Sequence, residues 1–549
     1  MAGLLLPREA QKSCHTLHRP GLRSLTTHVT AVLHKPPRIG WLMVALAESL
    51  WVLPKILASR KPRGHIRGRP RWKSSSRVVR STKGAHLAAA DLVPPTFISA
   101  DAALERTLGS GRYQLGITAG VGACIYSAAV AFSLLPLFLD LKLADDPRLP
   151  GLTADNLPLA STALFSGWLV GSLFVGFIQN KFGKKTVVRG GALGLLLCTV
   201  AGAIFPHMTQ GSIFVLAIIR FATGVFLAST AVAVSLVQDF VPPQGRNRFM
   251  VALNVCYSLF AIALTCSCGA VMRNIDWRLE LLFWCGAPMV IGLLFGLPRI
   301  GESLSDLAAT GRQQEAASLL AHIAHVNGEP LSAQGIAVAA ADGAERNPNG
   351  LRAGHRSSPV WTAPMMKRVG ALSVCFLACG FGFYGLSYSA GQLSTNIYTS
   401  SALLSATDIV GYAAALSADS FGLRALQSTC FGVAACCLLL CSIVAAGGWQ
   451  VLACALVGRL CLDICFTTIF VSVVNSFPTA CRSGSLMVCM VAARLGGVFA
   501  PYCGTLPASV SCALFSMLCL AAAGLTHAVP EKAESNLQVT PNVKEVAFA

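Results

Sequence analysis

Three short motifs that flank apolar stretches occur twice in this chain, at a nearly constant separation. Gly183 of the loop 180–185 recurs as Gly422, and Arg220 recurs as Arg459, each 239 positions later. A third motif, Pro-x-x-x-Arg, is offset by 236 positions and runs from Pro242 to Arg246 and from Pro478 to Arg482. Two homologous membrane halves in one chain are typical of secondary transporters. The repeat therefore predicts two pseudo-symmetric membrane halves and a solute carrier.

The composition indicates a chain that lies mostly in a membrane. Hydrophobic residues make up 54% and charged residues 12%, whereas soluble domains carry about 25% charged residues. The net charge of +19 is concentrated in residues 1–83, where 17 Lys and Arg stand against Glu9 and Glu48. Beside a membrane body this charge does not indicate nucleic-acid binding. The 21 cysteines lie mostly in apolar stretches without metal-ligand spacing, so neither a metal nor a cofactor is expected.

Twelve apolar stretches of about 20 residues are each long enough to cross a hydrocarbon core about 30 Å thick. The sequence therefore predicts an all-α membrane protein with twelve transmembrane helices in two pseudo-symmetric six-helix halves. The expected centres of spans 1 to 12 are Ala128, Gly167, Leu196, Phe226, Phe260, Val290, Cys379, Asp408, Cys436, Leu462, Ala493 and Leu518.

Basic residues are concentrated in the loops on one side of these spans. Because cytoplasmic loops carry an excess of Lys and Arg, both termini are expected in the cytoplasm. A multi-pass protein of the plasma membrane is favoured, and an organelle membrane is the alternative. The basic residues that carry this prediction are Lys181, Lys184 and Lys185 after span 2, Arg246 after span 4, Arg424 after span 8 and Arg482 after span 10.

The expected division of the chain follows these spans. Residues 99–298 form the first half, residues 299–366 a cytoplasmic central loop with short helices, and residues 367–529 the second half. Within the loop, Leu304 to His325 show the apolar spacing of a helix. Residues 530–549 are a polar tail that is expected to be disordered.

Residues 1–98 are a basic extension that is also expected to be disordered. They are rich in Arg and Ser and poor in acids, as transit peptides are, and they contain an apolar run from Trp41 to Ser59 that Glu48 and Lys55 interrupt. Three interpretations stay open. The extension is an organelle-targeting segment, a basic arm at the surface of the lipid bilayer, or a segment without function.

Several longer segments carry a family resemblance. They are 100–105 and 109–114 before span 1, 176–185 after span 2, 297–303 in the central loop, 477–484 and 493–501 around span 11, and 529–531 after span 12. In these segments the chain resembles the major facilitator superfamily, and within it the branch of organic cation and organic anion transporters and synaptic vesicle glycoprotein relatives. The resemblance covers residues 99 to 535 and implies the major facilitator fold.

The resemblance also implies a conformational gate in the cytoplasmic loops. Asn180 stands where the signature loop normally has an acid, while the second copy keeps Asp419. Asn475 likewise replaces an acid whose first-half counterpart is Asp239. Because these acids brace helix ends and basic loop residues in the family, their loss predicts a weaker lock of the outward-open state. The expected gate residues are Gly176, Asn180, Lys181, Gly183, Lys184, Lys185, Asp239, Arg246, Asp419, Gly422, Arg424 and Arg482.

Ionisable side chains inside spans are costly and are therefore candidates for function. Arg459 and Asp463 are four residues apart on one helix, so they can pair with each other or take part in proton coupling. Four residues after Arg220 the chain has Gly224 instead of an acid, so Arg220 needs a partner on another helix. Its role is either in coupling or in structure. The five residues of this kind are Arg220, Asp408, Arg459, Asp463 and Arg494.

Asp408 and Arg494 are expected near the central cavity, on spans 8 and 11. In the resembling branch, a basic residue at the position of Arg494 is associated with anions and an acid there with cations. The sequence leaves two roles possible for Asp408 and Arg494. Either residue contacts the solute directly, or the two residues neutralise each other. Arg494 therefore favours a carboxylate or zwitterion over a simple cation.

Span 7 carries Phe381, Tyr384 and Tyr388 at spacings of three and four residues, which predicts one aromatic face. Such a face either packs against neighbouring helices or lines the cavity. In the cavity it would suit a flat solute through stacking or cation–π contact. Further candidates for the cavity are Gln392, Tyr126, Asn254 and Tyr257.

The predicted function is secondary active transport of a small polar organic solute by alternating access, with protons as a candidate coupling ion through Asp408 or Asp463. The alternatives are an organic cation uniporter that uses Asp408 as counter-charge and a non-transporting receptor or scaffold. The sequence has no phosphate-binding loop and no nucleophile, metal or cofactor constellation, so no enzyme is predicted. The expected partners are the solute, the proton and the lipid bilayer, and a monomer is expected.

Overall fold

Among the residues that the structure describes, twelve long helices form a membrane-spanning body. The computed structural model describes residues 96–99, 104, 111–209, 211–272, 274–304, 307, 311–328, 336–339, 363–393, 396–415, 421–444, 448–477 and 479–529. The helices of spans 1 to 6 are Arg112–Ala144, Leu157–Phe182, Lys184–Met208, Ile213–Gln238, Pro243–Val271 and Trp277–Arg299. Those of spans 7 to 12 are Ala363–Tyr388, Ile397–Ala414, Leu423–Ile443, Trp449–Ser476, Thr479–Phe499 and Ala508–Thr526.

The expected twelve-helix architecture is confirmed, because every expected span centre lies inside one of these helices. Within the described ranges, eleven helices are long and apolar enough to cross a membrane. Span 8 is the exception, because its 18 residues include Ser, Thr, Tyr and Asp408, which make it less apolar than the other spans. Its first turn is fixed by Asn396, whose side chain accepts hydrogen bonds from the N–H groups of Tyr398 (3.0 Å) and Thr399 (3.4 Å).

The sequence repeat is also a repeat of backbone conformation. Gly183 connects spans 2 and 3 with φ of +81°, and Gly422 connects spans 8 and 9 with φ of +83°. A side chain disfavours such positive φ values, so glycine permits the sharp connection between two helices at both places. The two halves therefore turn in the same way at matching positions.

Small residues let helices of one half pack closely. A Cβ atom on Gly224 of span 4 would overlap the backbone of Leu164 and Trp168 of span 2. In the second half, Gly380 of span 7 lies against the backbone of Ala493 of span 11 in the same manner. Such contacts allow the backbones of two helices to approach in an apolar environment, where packing rather than water exclusion holds helices together.

Outside the spans, the described residues form a short helix in the central loop and a sheet that pairs one strand before span 1 with one strand of this loop. The helix Gln313–Asn327 covers the later part of the expected helical segment from Leu304 to His325, and Leu304 and Leu307 are helical as well. The strands Thr96–Ser99 and Ile336–Ala339 pair in parallel. The expected extension 1–98 thus ends in a strand, which no local sequence pattern indicates because its partner is far away in the chain. The apolar run 41–59 and the tail 530–549 lie outside the described residues.

The end of the bundle where span 1 begins is called the terminal face here, and the opposite end is called the distal face. At the distal face the halves are in contact through the ends of spans 1, 2, 8 and 11. The rings of Phe138 and Tyr398 lie 5.2 Å apart. The Thr162 hydroxyl donates a hydrogen bond to the Val498 carbonyl at 3.3 Å. These contacts join the first half to the second.

Candidate functional site

Aromatic side chains from both halves meet between span 2 and span 7. The ring of Phe165 lies 4.8 Å from that of Tyr384 and 6.4 Å from that of Tyr388. The indole of Trp168 lies 6.3 Å from the Tyr384 ring. Two of the residues predicted for the cavity, Tyr384 and Tyr388, are therefore brought together against the first half.

Arg494 lies in the same region and rests on an aromatic side chain of the other half. Its guanidinium carbon is 3.6 Å from the centre of the Trp168 ring, and its Nη1 donates a hydrogen bond to the Tyr384 hydroxyl at 3.3 Å. Its Nε is buried without a hydrogen-bond partner, as is Nε1 of Trp168. Among the described residues, Arg494 forms no ion pair, and Asp408 is engaged elsewhere.

The candidates of spans 1 and 5 form a second polar group in the first half. The Tyr126 hydroxyl donates to Asn254 Oδ1 at 3.0 Å, and the rings of Tyr126 and Tyr257 lie 5.6 Å apart. Tyr126 is close enough to Tyr384 and Arg494 to interact with them electrostatically. The structure thus brings these three predicted residues toward the Arg494 region.

The predicted single aromatic face of span 7 is wrong in one respect. Phe381 packs against Phe515 of span 12, with ring centres 4.9 Å apart, whereas Tyr384 and Tyr388 face span 2. Gln392 lies beyond the end of span 7, and its Nε2 donates to the carbonyls of Gly504 (2.8 Å) and Leu506 (2.9 Å). Its amide therefore ties the distal end of span 7 to the segment between spans 11 and 12.

Arg220 finds its partner on span 1. Its guanidinium donates to both carboxylate oxygens of Asp140, one of them at 3.1 Å, and to the Ser161 hydroxyl at 3.0 Å. The same hydroxyl donates to Asp140 at 3.0 Å. One acid thus meets one arginine, and both groups are largely buried.

Arg459 pairs across two helices rather than mainly along its own. It donates to both carboxylate oxygens of Asp408, at 2.9 and 3.2 Å, while Asp463 lies 3.6 Å from its Nε. Its Nη1 donates to the Phe383 carbonyl and, at 3.2 Å, to the Ser387 hydroxyl. The simple Arg459–Asp463 pair expected from the sequence is therefore secondary. A carboxylate on the facing helix can approach the guanidinium in its plane, which favours two parallel hydrogen bonds.

Several of the residues expected to form the gate make hydrogen bonds or an ion pair at the terminal face. Lys184 forms an ion pair with Asp239 at 2.6 Å, and the Lys185 amine donates to the Ile300 carbonyl. Arg246 donates to the Val241 carbonyl at 3.2 Å, and Arg424 to that of Val529 at 2.6 Å. These bonds join neighbouring helix ends within each half.

The remaining gate residues take varied positions. Lys181 lies over the Phe182 ring at 5.3 Å, and the space beside Gly176 faces Met487 of span 11. Asp419 and the side chains of Asn180 and Arg482 lie outside the described part of the chain.

Sequence reasoning missed three residues of these clusters. Asp140 is close to the end of span 1, where an acid can reach the membrane surface and does not by itself indicate a function. Its one sequence signal is that it lies between two leucines, Leu139 and Leu141. Trp168 and Phe165 look like ordinary apolar residues of span 2, and no periodicity distinguishes them from residues that face lipid. Their role depends on which side of span 2 meets the other half.

Comparisons with solved structures agree with this architecture. The proton:xylose symporter XylE bound to 6-bromo-6-deoxy-D-glucose aligns with a TM-score of 0.58 and 16% identity, covering 77% of this chain and 97% of that one. A partially occluded inward-open conformation of the xylose transporter XylE from E. coli aligns with a TM-score of 0.56 and 16% identity over 76% and 97%. At these identities the likeness shows the fold alone.

Curated relatives are transporters as well. Organic cation/carnitine transporter 4 of Arabidopsis thaliana is 25% identical over 68% of this chain and 71% of its own length. Solute carrier family 22 member 12 of Mus musculus is 28% identical over 63% and 61%. Solute carrier family 22 member 7 of Homo sapiens is 26% identical over 69% of each chain. The chain thus spans between about three fifths and seven tenths of these relatives.

The match to a family model covers most of the chain. Residues 89–501 match the model of the Major Facilitator Superfamily. Together with the twelve helices and the relatives above, this match makes the chain an integral multi-pass membrane transporter similar to organic ion transporters, rather than an enzyme. The chain belongs to the Major Facilitator Superfamily.

Proposed function

We propose that this transporter moves a small organic carboxylate or zwitterion by alternating access, with Arg494 as the residue that binds the carboxylate. The observation that carries the proposal is the pair of buried donors without acceptors, Arg494 Nε and Trp168 Nε1, at the junction of the two halves. Buried donors without acceptors are costly. A solute that supplies acceptor oxygens would remove this cost.

The stacking of Arg494 supports the same solute class. The indole of Trp168 covers one face of the guanidinium, so the N–H groups remain available in the guanidinium plane. A carboxylate binds a guanidinium in this plane, through two parallel hydrogen bonds. Since Arg494 forms no ion pair within the described residues, its charge is available to an anionic solute.

The aromatic groups around Arg494 favour a solute with a flat apolar part. Tyr384, Tyr126 and Tyr257 are partly accessible at the junction, and the buried Phe165 packs against Tyr384. Their rings can stack on a planar solute, while the Tyr hydroxyls can bind its polar groups. The proposed substrate class is therefore a planar or aromatic organic acid, or a zwitterion with such a part.

The contacts between the halves support a transport cycle in which they rock about this junction. Those at Phe138–Tyr398 and Thr162–Val498 close the distal face. The ion pair between Lys184 and Asp239 at the terminal face stays within one half. From the charges of the loops, we assign the terminal face to the cytoplasm, so the contacts at Phe138–Tyr398 and Thr162–Val498 would lie on the outer side.

Proton coupling is the second part of the proposal. The solved neighbour XylE is a proton:xylose symporter by its description. The described part of this chain contains two buried arginine–aspartate clusters, at Arg220 and at Arg459. Asp408 is held by two hydrogen bonds to Arg459, which argues against its use as the counter-charge of a cation carrier.

The test is uptake into proteoliposomes that contain the purified full-length chain. A panel of labelled organic anions, zwitterions and cations is compared with and without an inward proton gradient. Accumulation of an anion or zwitterion that requires the gradient is expected. Cation uptake that follows membrane potential alone would overturn the proposal in favour of a uniporter. A folded protein that moves none of the panel would favour a receptor or scaffold.

A further inference from the structure

The Arg459 cluster contains one more acid than its arginine can neutralise. Arg459 uses Nε and Nη2 for Asp408 and Nη1 for the Phe383 carbonyl and Ser387. Asp463 is left 3.6 Å from Nε, and both of its carboxyl oxygens are buried without a hydrogen-bond partner. The residues Asp408, Arg459 and Asp463 are each exposed by 2% or less.

Two ionised carboxylates beside one guanidinium would leave a net negative charge in the membrane interior. Burying an uncompensated charge costs several kcal/mol, and an ionisable group inside a span normally finds a partner for this reason. A bound proton removes the excess charge. It also gives the Asp463 carboxyl a donor that can reach a neighbouring oxygen.

The described residues around Asp463 offer no second cation. Span 8 contributes Asp408 and Tyr412, span 7 contributes Cys379, and its own helix contributes Arg459 and Cys461. Among these groups Arg459 alone is a cation. The backbone at Gly411 also packs tightly against the Asp463 side chain, which restricts the approach of a further charged group.

We infer that Asp463 is the proton-binding residue of this transporter, and that loss of its proton makes it compete with Asp408 for Arg459. The inference rests on the proposed proton-coupled function and assigns the proton to the second half. Asp140 is the contrasting case, since its single carboxylate is matched by Arg220 and by the Ser161 hydroxyl. The ionised form of Asp140 is therefore compensated, whereas that of Asp463 is not.

Competition for Arg459 links the proton to helix packing. Arg459 of span 10 binds span 8 through Asp408 and span 7 through Phe383 and Ser387. An ionised Asp463 draws the guanidinium back toward its own helix and weakens these bonds. Proton release would thus loosen the contacts among spans 7, 8 and 10, which are elements of one half that must adjust during alternating access.

The test measures the proton directly and needs no solute. Infrared difference spectra of the purified full-length chain in lipid are recorded while pH is raised. The wild type is expected to lose a carboxylic-acid C=O band, and the isosteric D463N variant is expected to lack this band. D408N is the informative partner. With Asp408 removed, Arg459 is free to neutralise Asp463, so the acid band is expected to disappear at neutral pH in D408N as well.

E280Q is the matched control, because Glu280 is another buried membrane acid, bonded to the Ser267 hydroxyl at 3.2 Å. The Asp463 band should remain in E280Q. A band that persists in D463N, or a wild type with no such band, would overturn the inference. If D463N fails to fold, D408N provides the test: an acid band in D408N that is the same as in the wild type would overturn the inference. Failure of solute uptake in the panel, with the infrared results as expected, would instead count against the proposed substrate and leave the proton site standing.

Discussion

The Arg494 guanidinium lies 3.6 Å from the centre of the Trp168 ring, so a cation of the second half rests on an aromatic side chain of the first. This contact joins spans 11 and 2 at the proposed solute site. Because the two residues belong to different halves, the proposed rocking of the halves about this junction would change the orientation of this contact. The same contact therefore orients the proposed anion ligand and reports the state of the transport cycle.

Removing the charge of Arg494 is expected to weaken solute binding. A hydrogen bond to a charged group contributes about 1.5–3 kcal/mol, so R494Q should raise the KM of the transported anion roughly 10- to 100-fold. R494K keeps the charge but loses the planar donors and should give an intermediate value. Initial uptake rates at varied solute concentration measure both. Equal KM values in wild type and R494Q would remove Arg494 from the binding site.

Trp168 is expected to act by positioning Arg494. A buried cation–π contact contributes about 1–2 kcal/mol, so W168A should weaken anion binding roughly 5- to 30-fold, whereas W168F keeps an aromatic ring and should lose less. The double variant W168A/R494Q should lose less binding free energy than the sum of the two single losses, because positioning of the guanidinium no longer matters once it is removed. Additive losses in the double variant would show that the two residues act independently.

Asp140 is expected to matter for stability because it neutralises Arg220. Breaking a buried pair by removing one partner costs about 3–5 kcal/mol, so D140N should lower the melting temperature of the purified protein markedly. The double variant D140N/R220Q removes both charges and should recover much of the loss. If D140N melts like the wild type, the pair contributes little and Arg220 is compensated in another way.

Gly183 and Gly422 are expected to respond alike to substitution. Their φ values of +81° and +83° lie in a region where a side chain costs about 1–3 kcal/mol, so G183A and G422A should each destabilise the protein. A Cβ added at Gly190 in span 3 would have no neighbouring heavy atom within 4 Å, so G190A is the matched control and should be neutral or slightly stabilising. Thermal unfolding in detergent compares the three variants.

Gly224 is expected to be intolerant of any side chain. A Cβ there would overlap the backbone of Leu164 and Trp168, and overpacking of this kind costs about 1–3 kcal/mol. G224A should reduce both thermal stability and uptake, because the added methyl group would push away span 2, which carries Trp168. G432A in span 9, where an added Cβ would meet no neighbour within 4 Å, provides the control. Wild-type stability and uptake in G224A would show that spans 2 and 4 can separate without cost.

Local patterns in the sequence predicted the helices but not all of their partners. Gly183 and Gly422 act within a few residues of the chain, so their recurrence is visible in the sequence. The pairing of strands Thr96–Ser99 and Ile336–Ala339 was missed, because parallel pairing depends on a neighbour that is distant in sequence. The aromatic face of span 7 was misassigned at Phe381, since spacing alone does not say which side of a helix meets which neighbour.

The sequence by itself determined the number of spans, the two repeated halves and the ionisable residues inside them, because burial in lipid and helix formation depend on the residues of each span. Only the tertiary structure decided the partners: Asp140 for Arg220, Asp408 for Arg459 and Trp168 for Arg494. The physical reason is that an electrostatic or aromatic contact depends on distance and orientation between helices. Those distances are set by close packing such as that of Gly224 against span 2.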